Sequence, residues 1–341
     1  MLNRVYRLVE ARTIEPVTES VAIGPDTVAV RPTHLSICNA DQRYYQGKRS
    51  AHVMAQKLPM ALIHEGIGQV VFDASGTFEP GTRVVMLPND PVEDDAVIAE
   101  NYLRSSRFAG SGYDGFMQEI CFLPQRRVLA LPEGIDLSVA AFTELVSVAV
   151  HAVSRFDAIA HARRRDIGIW GDGNLGFIVS LILHFVYPEA RLHVIGRNSY
   201  KLADFTFAHA TYLSSGIPDG MRVDHAFECC GGEGSVSAIE QVIDHIHPEG
   251  TISLMGVSEY PVPINTRMVL EKGLRVFGSS RSGRADFERT LQLHRDHPEM
   301  AVYLSSLVGN IVPVADIRDI ATAFDMDIRK QMGKTIMEWR M

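Results

Sequence analysis

Cysteine is scarce in this chain. Its 341 residues hold four, Cys38, Cys121 and the adjacent Cys229 and Cys230. Thiols so few and so scattered, beside thirteen methionines, do not make the disulfide framework of a secreted domain. Long apolar runs are missing as well. The greasiest stretch, Phe177 to Val186, contains His184 and is too short to span a bilayer. The opening residues, Met1 to Arg7, carry no apolar signal core, so a cytoplasmic protein with no membrane partner is expected. Excess positive charge is also absent. Thirty-three basic against 41 acidic side chains give a formal charge of −8, and no basic stripe runs along the chain. Such a surface repels phosphate backbones, which argues against nucleic acid as a partner. An anionic substrate would need a few local Arg or Lys side chains to attract it against that field.

What is present is the composition of a globular protein, 46% apolar and 22% charged. The length suits two domains better than one. Up to about residue 140 the chain is punctuated by Gly and Pro. Short β-rich runs lie between, such as Thr27 to Pro32 and Gly68 to Phe72, and a turn at Pro80-Gly81 feeds another at Arg83 to Met86. These features predict an irregular, mostly antiparallel β domain. The texture then changes. Ser138 to Phe156 is apolar at helical spacing, with Ser138 as its N-cap. Strand-sized runs follow at Ile167 to Trp170, Leu192 to Ile195, His225 to Glu228 and Thr251 to Met255, mostly with helix-length segments between, and Leu274 to Gly278 reads as the last strand. That alternation predicts a parallel, doubly wound sheet, an α/β domain. The tail reads as two helices and a closing strand, Gly333 to Trp339. There is no internal repeat and no low-complexity linker.

The most informative short motif is Gly171-Asp172-Gly173-Asn174-Leu175-Gly176, placed between the apolar run ending at Trp170 and the helical run Leu175 to Val186. In that setting the first Gly allows the tight strand-to-helix turn, the second lets the backbone approach a pyrophosphate, and the third lets helix and strand pack closely. The helix N-terminus offers N–H groups and a partial positive charge to the phosphates. Without a ligand the same residues would be only a glycine-rich turn. The next strand runs into Gly196-Arg197-Asn198-Ser199-Tyr200-Lys201, with no carboxylate before Asp204. An acidic residue there would bond the ribose hydroxyl of NAD. Arg197, with Ser199 and Lys201 in support, instead suits the 2′-phosphate of NADP(H), unless these are merely solvated loop residues.

Metal-competent residues occur upstream. Cys38 lies in Ser36-Ile37-Cys38-Asn39-Ala40-Asp41, and His64-Glu65 is followed by Gly66-Ile67-Gly68. Taken alone, Cys38 reads as a small buried hydrophobe or a thiolate ligand, and His64 as a satisfied core histidine or a ligand. In order and spacing, Cys38, His64-Glu65-Gly66-Ile67-Gly68 and the Gly171–Gly176 loop resemble the zinc-containing medium-chain dehydrogenases. The signature there is Gly-His-Glu-x-x-Gly, and Ile63 stands in place of its first Gly. The stretch Phe142 to Ala152 is similar to the Glu-Pro-Leu segment of the polyol (sorbitol dehydrogenase) branch. The resemblance covers the whole chain and implies a GroES-like β-rich catalytic domain, residues 1–147 and 286–341, with a Rossmann NADP-binding domain at 148–285. It implies one catalytic zinc on Cys38, His64, Glu65 and Glu144, with Glu144 bound directly or through water. It further implies no structural zinc, since residues 86–120 contain no Cys, and a homodimer joined through the last Rossmann strand. Burial alone is expected of Cys121, Cys229 and Cys230.

Two departures stand out. The family commonly has Cys-Gly-Ser/Thr-Asp, whose hydroxyl relays the substrate proton, whereas here Ala40 has none, and Arg43 replaces a frequent His. Zinc-bound water or Tyr44 is then the expected proton path. Longer stretches, Leu35 to Tyr45, Leu58 to Gly66, Gly168 to Gly176 and Gly278 to Gly283, resemble the reductases that turn ribulose 5-phosphate into ribitol 5-phosphate for teichoic acid or capsule synthesis. That implies a phosphosugar substrate, with Arg43 and Arg281 as phosphate-binding candidates and Lys48, Arg49 and Lys57 nearby in sequence. A neighbouring cytidylyltransferase is a possible partner. The rival readings are a polyol dehydrogenase for an unphosphorylated sugar alcohol using NAD(P), and a catalytically inactive NADP-binding redox sensor.

Overall fold

A computed structural model describes all residues 1–341. By contacts the chain divides into two compact units, Met1–Glu144 with Ser282–Met341, and Leu145–Arg281.

The first unit is built on a seven-stranded sheet in which Glu65–Asp73 and Lys334–Trp339 flank Thr27–Ser36, both antiparallel to it. The registers set Ser36 opposite Glu65 on one side and opposite Ile336 on the other. The start of one strand, the end of the second and the start of the third therefore meet at one end of the sheet. A smaller sheet of Thr13–Ser20, Leu2–Glu10 and Met60–Ala61 lies beside this one in the same unit. Leu8, Val30, Leu35, Phe116, Phe324 and Trp339 belong to the core of this unit. Tyr45 stacks on Phe324 with ring centroids 4.3 Å apart, which ties the helix Asn39–Tyr45 to the helix Ile317–Arg329.

The tail departs from expectation. It holds three helices, Arg284–Asp296, Met300–Ser305 and Ile317–Arg329, and an extra strand, Val308–Val314, which pairs parallel with Lys334–Trp339. Gly309, Asn310 and Pro313 break the apolar pattern of that strand, and Ile311 on it is exposed. The helix start near residue 138 also differs. Asp136, not Ser138, is the N-cap, accepting from Ser138 N at 2.8 Å and Val139 N at 3.1 Å, and the helix breaks after Ala140 before resuming at Thr143–Ile159. A carboxylate satisfies two free N–H groups there, which a hydroxyl inside the first turn cannot.

The second unit is a six-stranded, all-parallel sheet in the order Ala210–Leu213, Arg191–Gly196, Asp166–Trp170, Val223–Glu228, Ile246–Leu254, Arg275–Gly278. The order reverses at Asp166–Trp170, the switch point at which doubly wound sheets bind ligands. The edge strand Ala210–Leu213 was not expected. It spans four residues, none of them fully buried, and so lacks the apolar run that marks the central strands. No helix is long and apolar enough to cross a membrane.

Two buried histidines make stability depend on pH. His225 packs edge-on against Phe156, centroids 5.0 Å apart, and beside His161, while His294 is buried in Arg284–Asp296. Burial holds both imidazoles down to about 4, and the His161 charge adds to this for His225. An unfolded imidazole titrates near about 6.5, so between these values the unfolded chain binds more protons. Their stabilising effect is present above about pH 6.5 and is lost as the pH falls toward about 4. Urea melts across that range should show a falling midpoint, and His294→Gln should flatten the slope. An unchanged slope would contradict the assignment.

Candidate functional site

Cys38 follows the strand Thr27–Ser36 and is the N-cap of the helix Asn39–Tyr45. His64 immediately precedes the strand Glu65–Asp73. What joins the two segments is Asp41, fully buried in the first turn of that helix. Its Oδ2 accepts the Cys38 N–H at 3.0 Å, its Oδ1 accepts the Ile63 N–H at 3.0 Å, and His64 Nδ1 lies 3.5 Å from Oδ1. Asp41 thus braces both ligand loops and orients the His64 ring, the arrangement that supports metal-binding histidines. The donor atoms of Cys38, His64 and Glu65 all lie within 4.8 Å of one another. Ile63, where the signature has Gly, sits at φ 72°, a strained conformation for a β-branched residue that costs on the order of 1–3 kcal/mol. The Asp41 bond to its N–H and the 2.7 Å bond from Phe116 N to its carbonyl hold it there.

Glu65 is fully buried and engaged at both oxygens. Lys334 Nζ donates to Oε1 at 2.7 Å and Ser36 Oγ donates to Oε2 at 2.9 Å. Burial works against the charge of Lys334, yet the Glu65 carboxylate, and then Cys38, outweigh it and hold the ammonium's pKa up. Burial pushes the Glu144 carboxyl up to about 7; His64 draws it back and Glu65 adds to the rise. Burial likewise opposes charge on His64, but Asp41 and Cys38 overcome it and raise the imidazole well above its ordinary range. The cluster thus offers the Cys38 sulfur, the His64 imidazole and the Glu65 carboxylate within reach of one another. Such a mixed set of sulfur, nitrogen and oxygen donors suits a zinc ion. The residues therefore fit the metal.

In the second unit, Gly171 has φ 138°, and a Cβ on Gly176 would lie 1.9 Å from the Gly171 carbonyl oxygen, so only glycine fits there. Gly173 is the N-cap of Asn174–Val186, and no side chain bonds across that helix start. The N–H groups of its first turn, Leu175 among them, have no preceding turn of the helix to bond to. Arg197 is exposed just beyond the strand Arg191–Gly196, and Ser199 and Lys201 follow in a single helical turn. Buried Glu228, at the end of its strand, accepts from Cys230 N at 2.9 Å, Ser235 Oγ at 3.0 Å and Gly256 N at 3.0 Å, which fixes the loops after two strands.

The other candidates fall out differently. Tyr44 is a core residue with the Arg49 guanidinium 5.0 Å and the Lys57 ammonium 6.0 Å from its ring centre. Lys57 is anchored by Ser111 Oγ at 2.7 Å. Arg43 is half-buried in the first unit, and Arg281, at φ 59°, ends the second. Cys121 and Cys229 are buried as expected; Cys230 is exposed, because the chain leaves the sheet at that residue. Sequence reasoning missed Asp41, Lys334 and Glu228 as site residues. For Lys334 there was a signal: an ammonium at the head of a strand that carries Ile336, Met337 and Trp339 needs a partner if it is buried.

Comparison with known proteins agrees with this geometry. Residues 24–133 match the alcohol dehydrogenase GroES-like domain, and residues 202–295 match the zinc-binding dehydrogenase model. A ribulose-5-phosphate reductase of Bacillus spizizenii is 56% identical over 341 residues, covering 100% of both chains. Ribulose-5-phosphate reductase 1 of Staphylococcus aureus is 51% identical with the same coverage. The chain belongs to the zinc-binding dehydrogenases. The crystal structure of S. aureus TarJ in complex with NADPH superposes on this dehydrogenase with a TM-score of 0.90 at 46% identity, covering 100% of both chains.

The charge assignment is open to test in this dehydrogenase. Lys334→Met leaves Glu65 buried and unpaired, and should destabilise the zinc-free chain by about 3–5 kcal/mol in urea melts. With zinc present the loss should be smaller, since the metal supplies the missing positive charge. Equal losses in both states would contradict it.

Proposed function

We propose that the chain is an NADPH-dependent reductase that converts D-ribulose 5-phosphate reversibly into D-ribitol 5-phosphate. The observation that carries this reading is the 56% identity over the full length to a ribulose-5-phosphate reductase, with no gap in coverage. The cofactor choice is supported by Arg197 and the absence of a carboxylate on the loop that follows Arg191–Gly196, and by the NADPH complex of the TarJ relative. The first unit is the zinc-binding catalytic part and the second the NADP-binding part.

In this reading Cys38 and His64 would hold one catalytic zinc, with carboxylate oxygen from Glu65 or Glu144 completing the donor set. Zinc, when bound, polarises the substrate carbonyl as a Lewis acid. The nicotinamide delivers hydride to the carbonyl carbon, and a proton must reach its oxygen to complete the alcohol. Ala40 has no hydroxyl to carry that proton, so a water or the Tyr44 hydroxyl takes the role. Gly171, Gly173 and Gly176 admit the pyrophosphate against the N–H groups of Asn174 and Leu175, and Arg197, Ser199 and Lys201 receive the 2′-phosphate. Arg43, in the first unit, is a candidate for the substrate phosphate, as is Arg281 at the end of the second.

No structural zinc is proposed. Residues 86–120 lack Cys, and that stretch is braced by protein groups: Arg127, 3% exposed, holds Glu100 through two 2.9 Å bonds, and Glu100 accepts Arg284 N at 2.6 Å. A homodimer through the edge strand Arg275–Gly278 is supported by exposed Val276 and Leu270. The product would feed CDP-ribitol for teichoic acid or capsule through a cytidylyltransferase partner, in the cytoplasm.

The test is NADPH oxidation with ribulose 5-phosphate, set against free ribulose, fructose and NADH. The phosphosugar should exceed free ribulose by about a hundredfold or more in kcat/KM, the scale of losing a charge-assisted contact to the phosphate. Comparable rates with free ribulose would favour a polyol dehydrogenase; no activity with any of them would sink the proposal.

A further inference from the structure

The glycine loop contains one charged residue, Asp172, and binding a pyrophosphate does not call for a carboxylate there. Its bonds show where it is used. Asp172 Oδ2 accepts from Arg197 N at 2.8 Å, Asn198 N at 2.7 Å and Asn198 Nδ2 at 3.0 Å. The contact is also steric: a Cβ on Gly196 would lie 2.5 Å from the Asp172 Cβ, so the end of the strand Arg191–Gly196 is pressed against the loop. One carboxylate oxygen thereby takes both backbone donors of the turn at 197–198, while the Arg197 side chain is left exposed.

A carboxylate at the end of this strand is the usual mark of a site for the unphosphorylated ribose. Here the acidic group comes from the preceding strand's loop and bonds the turn itself. The backbone donors of that turn are consumed, so an anion arriving there has to be met by the guanidinium. A carboxylate also repels a 2′-phosphate. Three N–H donors on the same oxygen offset part of its charge, and the geometric gain of a fixed Arg outweighs the rest.

We infer that Asp172 is a positioning residue for cofactor selection, clamping the 197–198 turn so that Arg197 is presented to the 2′-phosphate of NADPH. The inference rests on the NADPH reading above and goes beyond it, because it moves part of the selectivity off the residues that would touch the phosphate.

The experiment is calorimetric binding of 2′,5′-ADP and of 5′-AMP to the full-length chain, with no turnover required. In Asp172→Ala, the 2′,5′-ADP Kd should weaken about tenfold or more, the scale of one lost charge-assisted contact, while 5′-AMP stays within about twofold. Asp172→Asn retains an acceptor oxygen for the turn and should stay within about threefold of wild type for both ligands. Arg197→Ala should show the same selective loss, and adding Asp172→Ala to it should cost little more, since the two act as a unit. Equal losses for both ligands in Asp172→Ala would mean a merely structural role and overturn the inference. Tighter binding of 2′,5′-ADP would mean the charge acts only as a brake, and would also overturn it. A wild type that binds the two ligands alike would instead overturn the NADPH reading, and with it the role given to Asp172.

Discussion

The candidate metal site depends on one carboxylate, Asp41. It lies in the first turn of the helix that Cys38 caps, and it bonds the Cys38 N–H and the Ile63 N–H while standing against the His64 ring. Two chain segments separated by the helices Asn39–Tyr45 and Ala51–Lys57 are thereby fixed to one point. Because Asp41 is fully buried, its oxygens cannot turn to water, so the geometry is enforced by the cost of an unsatisfied charge. The strained backbone at Ile63 persists for the same reason, beside the ring it helps to place.

A second buried pair completes the centre from the far end of the sequence. Lys334 reaches Glu65 because the closing strand pairs with Thr27–Ser36 and sets Ile336 across from Ser36. The pair offsets the charge of the Glu65 carboxylate inside the fold. Asp41 and Glu65 each bond protein donors in this pocket, and burial pushes the Glu144 carboxyl nearby up to about 7. The dinucleotide loop follows the same economy, with Asp172 and Glu228 each bonded to backbone N–H groups at strand ends.

Much of this was legible in the sequence, and the rest was not for physical reasons. The central Rossmann strands announce themselves because they are buried on both faces and read as continuous apolar runs. The edge strand Ala210–Leu213 and the strand Val308–Val314 do not, being partly exposed and broken by polar or turn residues. Cys38, His64 and Glu65 could be found because metal chemistry restricts residue types at a short spacing. Asp41 and Lys334 were hidden because their value lies in contacts made by tertiary pairing, over a separation of 269 residues in the case of Lys334 and Glu65. Ser138 as the cap differs from the structure by register: Asp136 is also a good capping residue, and only the backbone shows which one stands outside the first turn.

The central claim is that Cys38 and His64, with carboxylate oxygen, hold a single zinc whose charge the pocket balances. X-ray absorption at the zinc edge of the purified chain tests it most directly. The account predicts about one zinc per chain, with one sulfur near 2.3 Å and the remaining neighbours nitrogen or oxygen near 2.0–2.2 Å. A first coordination shell of several sulfurs, or one with no sulfur at all, would contradict it.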